Sequence, residues 1–341
     1  MKTIKVGVNG FGRIGRAFLK IAWDRPEIEI VAVNDLSDVK NLAYLLKYDT
    51  VYKKWEHDIK TNGQAILIDG KEVKVLTEKD PSKLPWKDLG VEVVVESTGL
   101  FTSYDKANAH IQAGAKKVVI SAPAKDEGGA VAGETILLGV NEEKFGICDI
   151  TSNASCTTNA ASPLIAILDE ALGIEKAILN TAHGLTNSQP TVDSINKHNM
   201  REGRAGGHNI VPTSTGAAIA VTKAFPKLAG LFDGISMRVP VIVGSIVDVT
   251  FISKKNTTAE EVNTILKKAA SEERWKGVFA ITEEELVSSD IIDSPYGAIA
   301  DLNLTRVVGG NLVKVLAWYD NEMGYTYTLV DHVIKTGMNI K

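Results

Sequence analysis

The sequence predicts an α/β protein: a parallel sheet with crossover helices, then a mixed or antiparallel sheet with helices of its own. Three observations carry this expectation. Short apolar strand patterns alternate with helical ones through the first half of the chain. A glycine-rich turn joins the first strand to the first helix. Beyond a polar stretch around Cys156, longer alternating strands take over.

Length and composition set the outer bounds. With 341 residues the chain is long enough for two domains. Its 44% apolar and 23% charged content is ordinary for a globular protein. A net charge of −4 supplies no global basic field for nucleic acid or an anionic membrane. Cys148 and Cys156 are the only cysteines, so there is no disulfide framework, and a reducing cytoplasm is expected. The first residues enter a strand pattern with no secretory apolar segment, and no apolar run approaches the ~20 residues that span a bilayer.

In the first strand Ile4, Val6 and Val8 alternate, then meet Gly10-Phe11-Gly12-Arg13-Ile14-Gly15. A helical pattern follows through Ala17, Phe18 and Ile21. A G-x-G-x-x-G between strand and helix allows a tight turn and close approach to a pyrophosphate, which then faces the helix N-terminus. The next strand, residues 28–33, ends at Asn34-Asp35, and Asp35 falls twenty positions after Gly15. A dinucleotide fingerprint places there the carboxylate for the ribose 2′-hydroxyl. That carboxylate also repels a 2′-phosphate, which favours NAD over NADP. Residues 73–76, 91–96 and 117–120 read as further strands, and 103–114 as a helix. The 91–96 segment is apolar on both faces, as a central parallel strand is. Thr98 and Ser121 fall at strand carboxyl ends, where ligands lie in open parallel sheets; ordinary loop polarity explains them equally well.

One more strand, residues 149–152, delivers the chain to Ser155-Cys156-Thr157-Thr158-Asn159. The apolar run 163–172 repeats with helical spacing, so Cys156 is expected at or just before a helix N-terminus, where unpaired N–H groups favour a thiolate. Inert buried cysteines have apolar neighbours, and these are hydroxyls. The strand 177–182 ends at His183, 27 positions after Cys156, room for one helix and one returning strand. A cysteine and a histidine in reach of one another make a nucleophile and a general base. The other histidines are His57, His110, His198, His208 and His332.

Residues 184–209 form a long polar segment carrying Arg201 and Arg204, and loops of this length in compact domains are usually functional. Hydroxyls and glycine at Thr213-Ser214-Thr215-Gly216, before a helix reaching Phe225, suit an anion. Arg238 interrupts an apolar strand and needs an anionic partner, either a protein carboxylate or a substrate phosphate. Strands at Ser245–Ser253 and Leu312–Tyr319, a helix over 258–274 and a last helix with Leu329, Val330, Val333 and Ile334 on one side complete the chain.

These residues resemble the phosphorylating glyceraldehyde-3-phosphate dehydrogenase family over essentially the whole length. The matching stretches are 9–16, Glu96-Ser97-Thr98-Gly99, 120–124, 152–159, Thr186, 209–218, 237–240 and 318–325. The resemblance implies a Rossmann dinucleotide-binding domain over 1–155, an α+β catalytic domain over 156–321, and a helix 322–341 docking back on the first. It implies NAD as cofactor, D-glyceraldehyde 3-phosphate and inorganic phosphate as partners, no metal, and a homotetramer. Cys156 and His183 match the nucleophile and base of a hemithioacetal and thioester mechanism. Gly10, Gly12, Arg13, Ile14, Gly15, Asp35, Lys79, Thr98, Ser121 and Asn321 match cofactor positions, with Lys79 near the adenine and Asn321 on the nicotinamide carboxamide. Thr186 and Arg238 match the substrate-phosphate site; Ser155, Thr157, Thr215 and Gly216 match the attacking-phosphate site.

The chain also departs from the family pattern. Ala160 replaces a common second cysteine, Met323 a tryptophan, and Ser194-Ile195 a Leu-Pro frequent in bacterial members, which leaves room for some use of NADP. Erythrose-4-phosphate dehydrogenase shares the nucleophile segment but usually has glutamate at the position of Asp35. A Cys–His hydrolase or acyltransferase leaves the fingerprint unexplained, and a non-catalytic nucleotide-sensing or nucleic-acid-binding protein leaves the nucleophile and base unused and finds no support in the net charge of −4.

Overall fold

The computed structural model describes residues 2–125, 129–197 and 199–340. His198 lies outside the described residues. The chain divides into two compact units. The first comprises Met1–Ile136, Glu142–Ala154 and Leu329–Lys341; the second comprises Leu137–Asn141 and Ser155–Thr328. The break at 154/155 falls one residue from the expected 155/156. A short excursion, Leu137–Asn141, joins the second unit, and the last helix is divided between the two rather than assigned whole to the first.

In chain order the first unit contains β1 (Ile4–Asn9), α1 (Arg13–Trp23), β2 (Ile28–Asn34), α2 (Val39–Lys47), the small pair β3 (Tyr48–Asp49) and β4 (Lys53–Lys54), then β5 (Ile59–Asn62), β6 (Ala65–Ile68) and β7 (Lys71–Leu76). It continues with β8 (Val93–Glu96), α3 (Tyr104–Gln112), β9 (Lys117–Ile120), β10 (Gly133–Thr135) and β11 (Ile150–Ser152). Among the described residues nine strands form one sheet in the order β10-β11-β9-β8-β1-β2-β7-β6-β5. From β10 to β7 the pairs are parallel; the β7-β6-β5 meander is antiparallel. Every residue of β8 is buried, as its apolar pattern requires of a central strand. Helix α1 turns Ala17, Phe18, Leu19, Ile21 and Ala22 onto the sheet.

The second unit is organised around α4 (Cys156–Leu172), which starts at the nucleophile candidate itself. Its apolar run extends a helix whose first turn is polar, and nearly the whole helix is buried. There follow β12 (Ile174–His183), β13 (Val211–Ser214), α5 (Ala217–Ala224), β14 (Phe232–Arg238), β15 (Ser245–Ser253), α6 (Ala259–Ala270), β16 (Phe279–Thr282), β17 (Ala298–Asp301), β18 (Arg306–Val308) and β19 (Leu312–Tyr319). Helix α7 (Met323–Met338) ends the chain. The sheet order is β13-β14-β12-β15-β19-β17-β16, with β18 alongside β19. It is mixed: β12–β14 and β16–β17 are parallel, and the other pairs antiparallel. β15 alternates buried and half-buried residues along its whole length. Helix α6 stops at Ala270, short of the expected 274: Ser271 is its C-cap, with its hydroxyl on the Lys268 carbonyl at 2.6 Å, and the chain continues as a separate 3₁₀ turn at Glu273–Trp275.

Candidate active site

In the first unit the glycine turn has the shape a dinucleotide needs. Gly10 has φ +93°, a left-handed conformation that favours glycine. A Cβ at Gly15 would lie 2.1 Å from the Gly10 carbonyl oxygen, so helix and turn meet at a distance only glycine permits. Gly12 is the N-cap of α1 and supplies no side-chain cap, and the space beside its Cα is open. A phosphate suits that helix end. Ile14 is the second residue of α1. Asp35 accepts from Phe11 N–H at 2.9 Å and Ser37 N–H at 3.0 Å, which fixes its carboxylate at the end of β2. Arg13 pairs with Asp49 at 2.9 Å. Thr98 and Ser121 sit just past β8 and β9, and the Ser121 hydroxyl donates to Glu96 O at 3.0 Å. Lys79 is exposed. These features fit NAD.

In the second unit Ser155 caps α4, its Oγ accepting from Thr158 N–H at 3.1 Å. Cys156 is the first helical residue, and its Sγ lies 3.3 Å from His183 Nε2. His183 is the last residue of β12. Its Nδ1 is 2.7 Å from the Gly184 carbonyl oxygen and 2.5 Å from Arg238 Nη1. The carbonyl only accepts and the guanidinium only donates, so the two contacts call for opposite tautomers. In the one protonated on Nδ1 the carbonyl takes the proton, Arg238 stands beside the ring as a charge and not as a hydrogen-bond donor, and Nε2 is left to accept the thiol proton.

Electrostatics correct one expectation. Cys156 is half-buried in accessible surface but ringed by buried neighbours, and that desolvation pushes its thiol pKa up, against Arg238 and the Thr157 N–H, which pull it down. Burial, with Arg238 second, holds His183 down to about 3. Cysteine and histidine therefore meet as a neutral thiol and a neutral imidazole.

Arg238 was expected to have a carboxylate or a substrate phosphate as its partner. Among the described residues no carboxylate pairs with it, and its Nε is buried without a partner. Parallel pairing of β12 with β14 sets Arg238 directly across from His183. Thr215 Oγ1 accepts from Ala217 N–H at 3.1 Å, and Gly216 caps α5 beside open space. Thr186 is exposed, with its hydroxyl 3.0 Å from Gln189 Oε1. Asn321 is buried, and its Oδ1 accepts from Gly244 N–H at 3.1 Å and Ser245 Oγ at 2.9 Å, which orients its amide. Of the loop arginines, Arg204 pairs with Asp193 at 2.9 Å and Arg201 is exposed.

Sequence reasoning missed Tyr319. Its buried hydroxyl joins Thr157 Oγ1 at 2.9 Å to Thr181 Oγ1 at 2.8 Å, and its ring stands edge-on to His183 with centroids 6.0 Å apart. The only available signal was a tyrosine at the end of an alternating strand.

Among the described residues no group of three or more His, Cys, Asp or Glu is placed to hold a metal ion. No described helix is long and apolar enough to cross a membrane.

Residues 4–104 match the family model for the glyceraldehyde 3-phosphate dehydrogenase NAD-binding domain, and residues 155–321 the model for its C-terminal domain. The chain is 49% identical over 330 residues to a glyceraldehyde-3-phosphate dehydrogenase of Thermotoga maritima, covering 96% of this chain and 97% of the relative. A Streptomyces coelicolor enzyme of the same name is 46% identical over 338 residues, 98% of this chain and 99% of its own. The Bacillus subtilis glyceraldehyde-3-phosphate dehydrogenase 1 is 45% identical, with 98% and 100% covered. The glycine turn, the capped cysteine and the arginine without a carboxylate thus sit in a sequence related along its whole length to these enzymes, and the chain belongs to the glyceraldehyde-3-phosphate dehydrogenase family.

Proposed function

We propose that the protein converts D-glyceraldehyde 3-phosphate and inorganic phosphate to 1,3-bisphosphoglycerate with reduction of NAD. The observation that carries this reading is Cys156 Sγ at 3.3 Å from His183 Nε2, beside a cation without a carboxylate partner among the described residues.

Cys156 attacks the aldehyde carbon. Because thiol and imidazole meet neutral, the thiol proton passes to His183 Nε2 as the carbon–sulfur bond forms. Arg238 and Thr186 hold the substrate phosphate. The residues for NAD are Gly10, Gly12, Arg13, Ile14, Gly15, Asp35, Lys79, Thr98, Ser121 and Asn321. When bound, NAD supplies the hydride acceptor. Oxidation of the hemithioacetal leaves a thioester on Cys156. Inorganic phosphate, held by Ser155, Thr157, Thr215 and Gly216, attacks that thioester and releases the acyl phosphate, and Cys156 recovers its proton.

The decisive test is NADH formation from D-glyceraldehyde 3-phosphate and NAD, with and without phosphate or arsenate. Strong dependence on the anion is expected. Turnover indifferent to it, or faster with erythrose 4-phosphate, overturns the assignment of substrate and second step.

A homotetramer in the cytoplasm completes the proposal. Self-association is supported by Ile178 and Ile235, which are 59% and 50% exposed on neighbouring strands β12 and β14. Light scattering on a size-exclusion column tests it. Two unpaired cysteines support a reducing compartment.

A further inference from the structure

Within the first unit a buried polar network lies beneath the carboxyl ends of β1, β2 and β8, and the chemistry above leaves it unused. Its centre is Glu96, 1% exposed, against His110, Trp86 and Asn9, which are also buried. The Trp86 indole N–H donates to His110 Nδ1 at 3.1 Å. An indole only donates, so Nδ1 carries the lone pair and the imidazole is neutral with its proton on Nε2. That proton faces Glu96 Oε2 at 3.0 Å. Asn9 Nδ2 donates to the same oxygen at 2.6 Å. The other oxygen, Oε1, accepts the Thr98 N–H at 2.9 Å and the Thr98 hydroxyl. Four groups converge on one carboxyl group: three N–H donors and the Thr98 hydroxyl, which can donate or accept. Both Glu96 oxygens are therefore satisfied inside the unit by neutral side chains and one backbone N–H.

The network continues outward with every amide orientation fixed by the one before. Asn9 commits its Nδ2 to Glu96, so its Oδ1 accepts from Asn34 Nδ2 at 2.7 Å. Asn34 Oδ1 in turn accepts from Glu78 N–H at 2.9 Å, and Asn34 Nδ2 also reaches Glu78 O at 2.9 Å. Each residue reached is a cofactor candidate or stands directly before one: Asn9 before Gly10, Asn34 before Asp35, Glu78 before Lys79, and Thr98 itself.

We propose that Glu96 is a positioning residue for NAD. Through Thr98 on one side and the Asn9–Asn34 relay on the other, one carboxyl group holds the loops at both ends of the dinucleotide site in a single register. This rests on the dinucleotide reading of that end of the sheet.

The test is calorimetric titration of the full-length protein with NAD and with ADP-ribose, alongside the thermal midpoint and the rate of Cys156 alkylation without nucleotide. Glu96→Gln puts an amide N–H₂ against fixed donors. Its Kd for NAD is expected to rise roughly tenfold to a hundredfold, the scale of a buried polar group left unpaired, with alkylation unchanged. Asn34→Ala keeps Glu96 and its four partner groups but cuts the relay, so NAD and ADP-ribose are expected to weaken by the same factor. A network serving only as core would lower the midpoint and leave the Kd of the folded protein in place. A Kd within about twofold of wild type in Asn34→Ala, and in Glu96→Gln if it folds, overturns the proposal. Wild-type protein that binds neither ligand overturns the dinucleotide reading instead.

Discussion

Arg238 Nη1 stands 2.5 Å from His183 Nδ1, so the arginine proposed for the substrate phosphate touches the proposed base directly. Burial is the larger cause of the depressed His183 pKa and the Arg238 charge the second. Replacing Arg238 by glutamine removes only the second. The pKa of His183 should rise part of the way from about 3 toward 6.5. The proposed mechanism needs the neutral imidazole, so the acid limb of the kcat/KM profile should move to higher pH, and KM for the triose phosphate should rise by roughly tenfold or more. Initial rates across pH check both, and an unmoved acid limb refutes the coupling.

Cys156→Ser should abolish dehydrogenase turnover, since a neutral serine hydroxyl is a far weaker nucleophile. His183→Asn should lower kcat by roughly 10²- to 10⁴-fold. NAD binding, measured by calorimetry, should survive both. Turnover retained in Cys156→Ser would exclude the covalent route.

Two buried histidines link stability to pH. His183 and His332 are each held down to about 3, burial first among the causes. His332 is fixed by Thr151 Oγ1 at 2.8 Å and Asn153 Oδ1 at 3.1 Å. As pH falls through 6.5 the unfolded chain takes up a proton at each, while the native state takes up none until about 3. Their contribution is complete above 6.5 and is lost progressively as pH falls toward 3. The urea midpoint should fall over this window, less steeply in His183→Asn.

Gly15→Ala should disrupt the cofactor end of the first unit. The added Cβ would sit 2.1 Å from the Gly10 carbonyl oxygen, and backbone there must move. A stability loss of about 1–3 kcal/mol and loss of NAD affinity are expected. An alanine variant that binds NAD like wild type would show that the close approach is dispensable.

Ser155→Ala removes the N-cap of α4 and, on the proposed reading, a hydroxyl of the attacking-phosphate site. The cap is worth about 1 kcal/mol, read as a lower urea midpoint. KM for inorganic phosphate should rise more than KM for the aldehyde. Equal changes in both would place Ser155 in the structure alone.

Local chemistry was the legible part of the sequence. The glycine turn, Asp35 at a strand end, the cap before Cys156 and His183 closing a strand all follow from short-range patterns, and the structure has these elements with ends shifted by a few residues. Long-range pairing was not legible. Nothing near Arg238 reveals that a parallel partner sets His183 opposite it, nor that Tyr319 joins Thr157 to Thr181. The pKa of Cys156 was misread for the same reason: a helix terminus is a local feature, while burial depends on segments far along the chain. Glu96 looked like the end of an apolar strand, because its partners Asn9 and His110 reach it only in the folded unit.

The parallel pairing of β12 with β14 makes catalysis an unusually strict witness to correct assembly. Side chains alternate faces along a strand, so a slip of one residue carries Arg238 to the opposite side from His183. Such a slipped molecule would keep most of its secondary structure, and much of its circular dichroism, while losing its chemistry. In a refolding experiment, recovered turnover would therefore lag recovered ellipticity by the fraction of chains that zipped the sheet out of step, and that gap would count them.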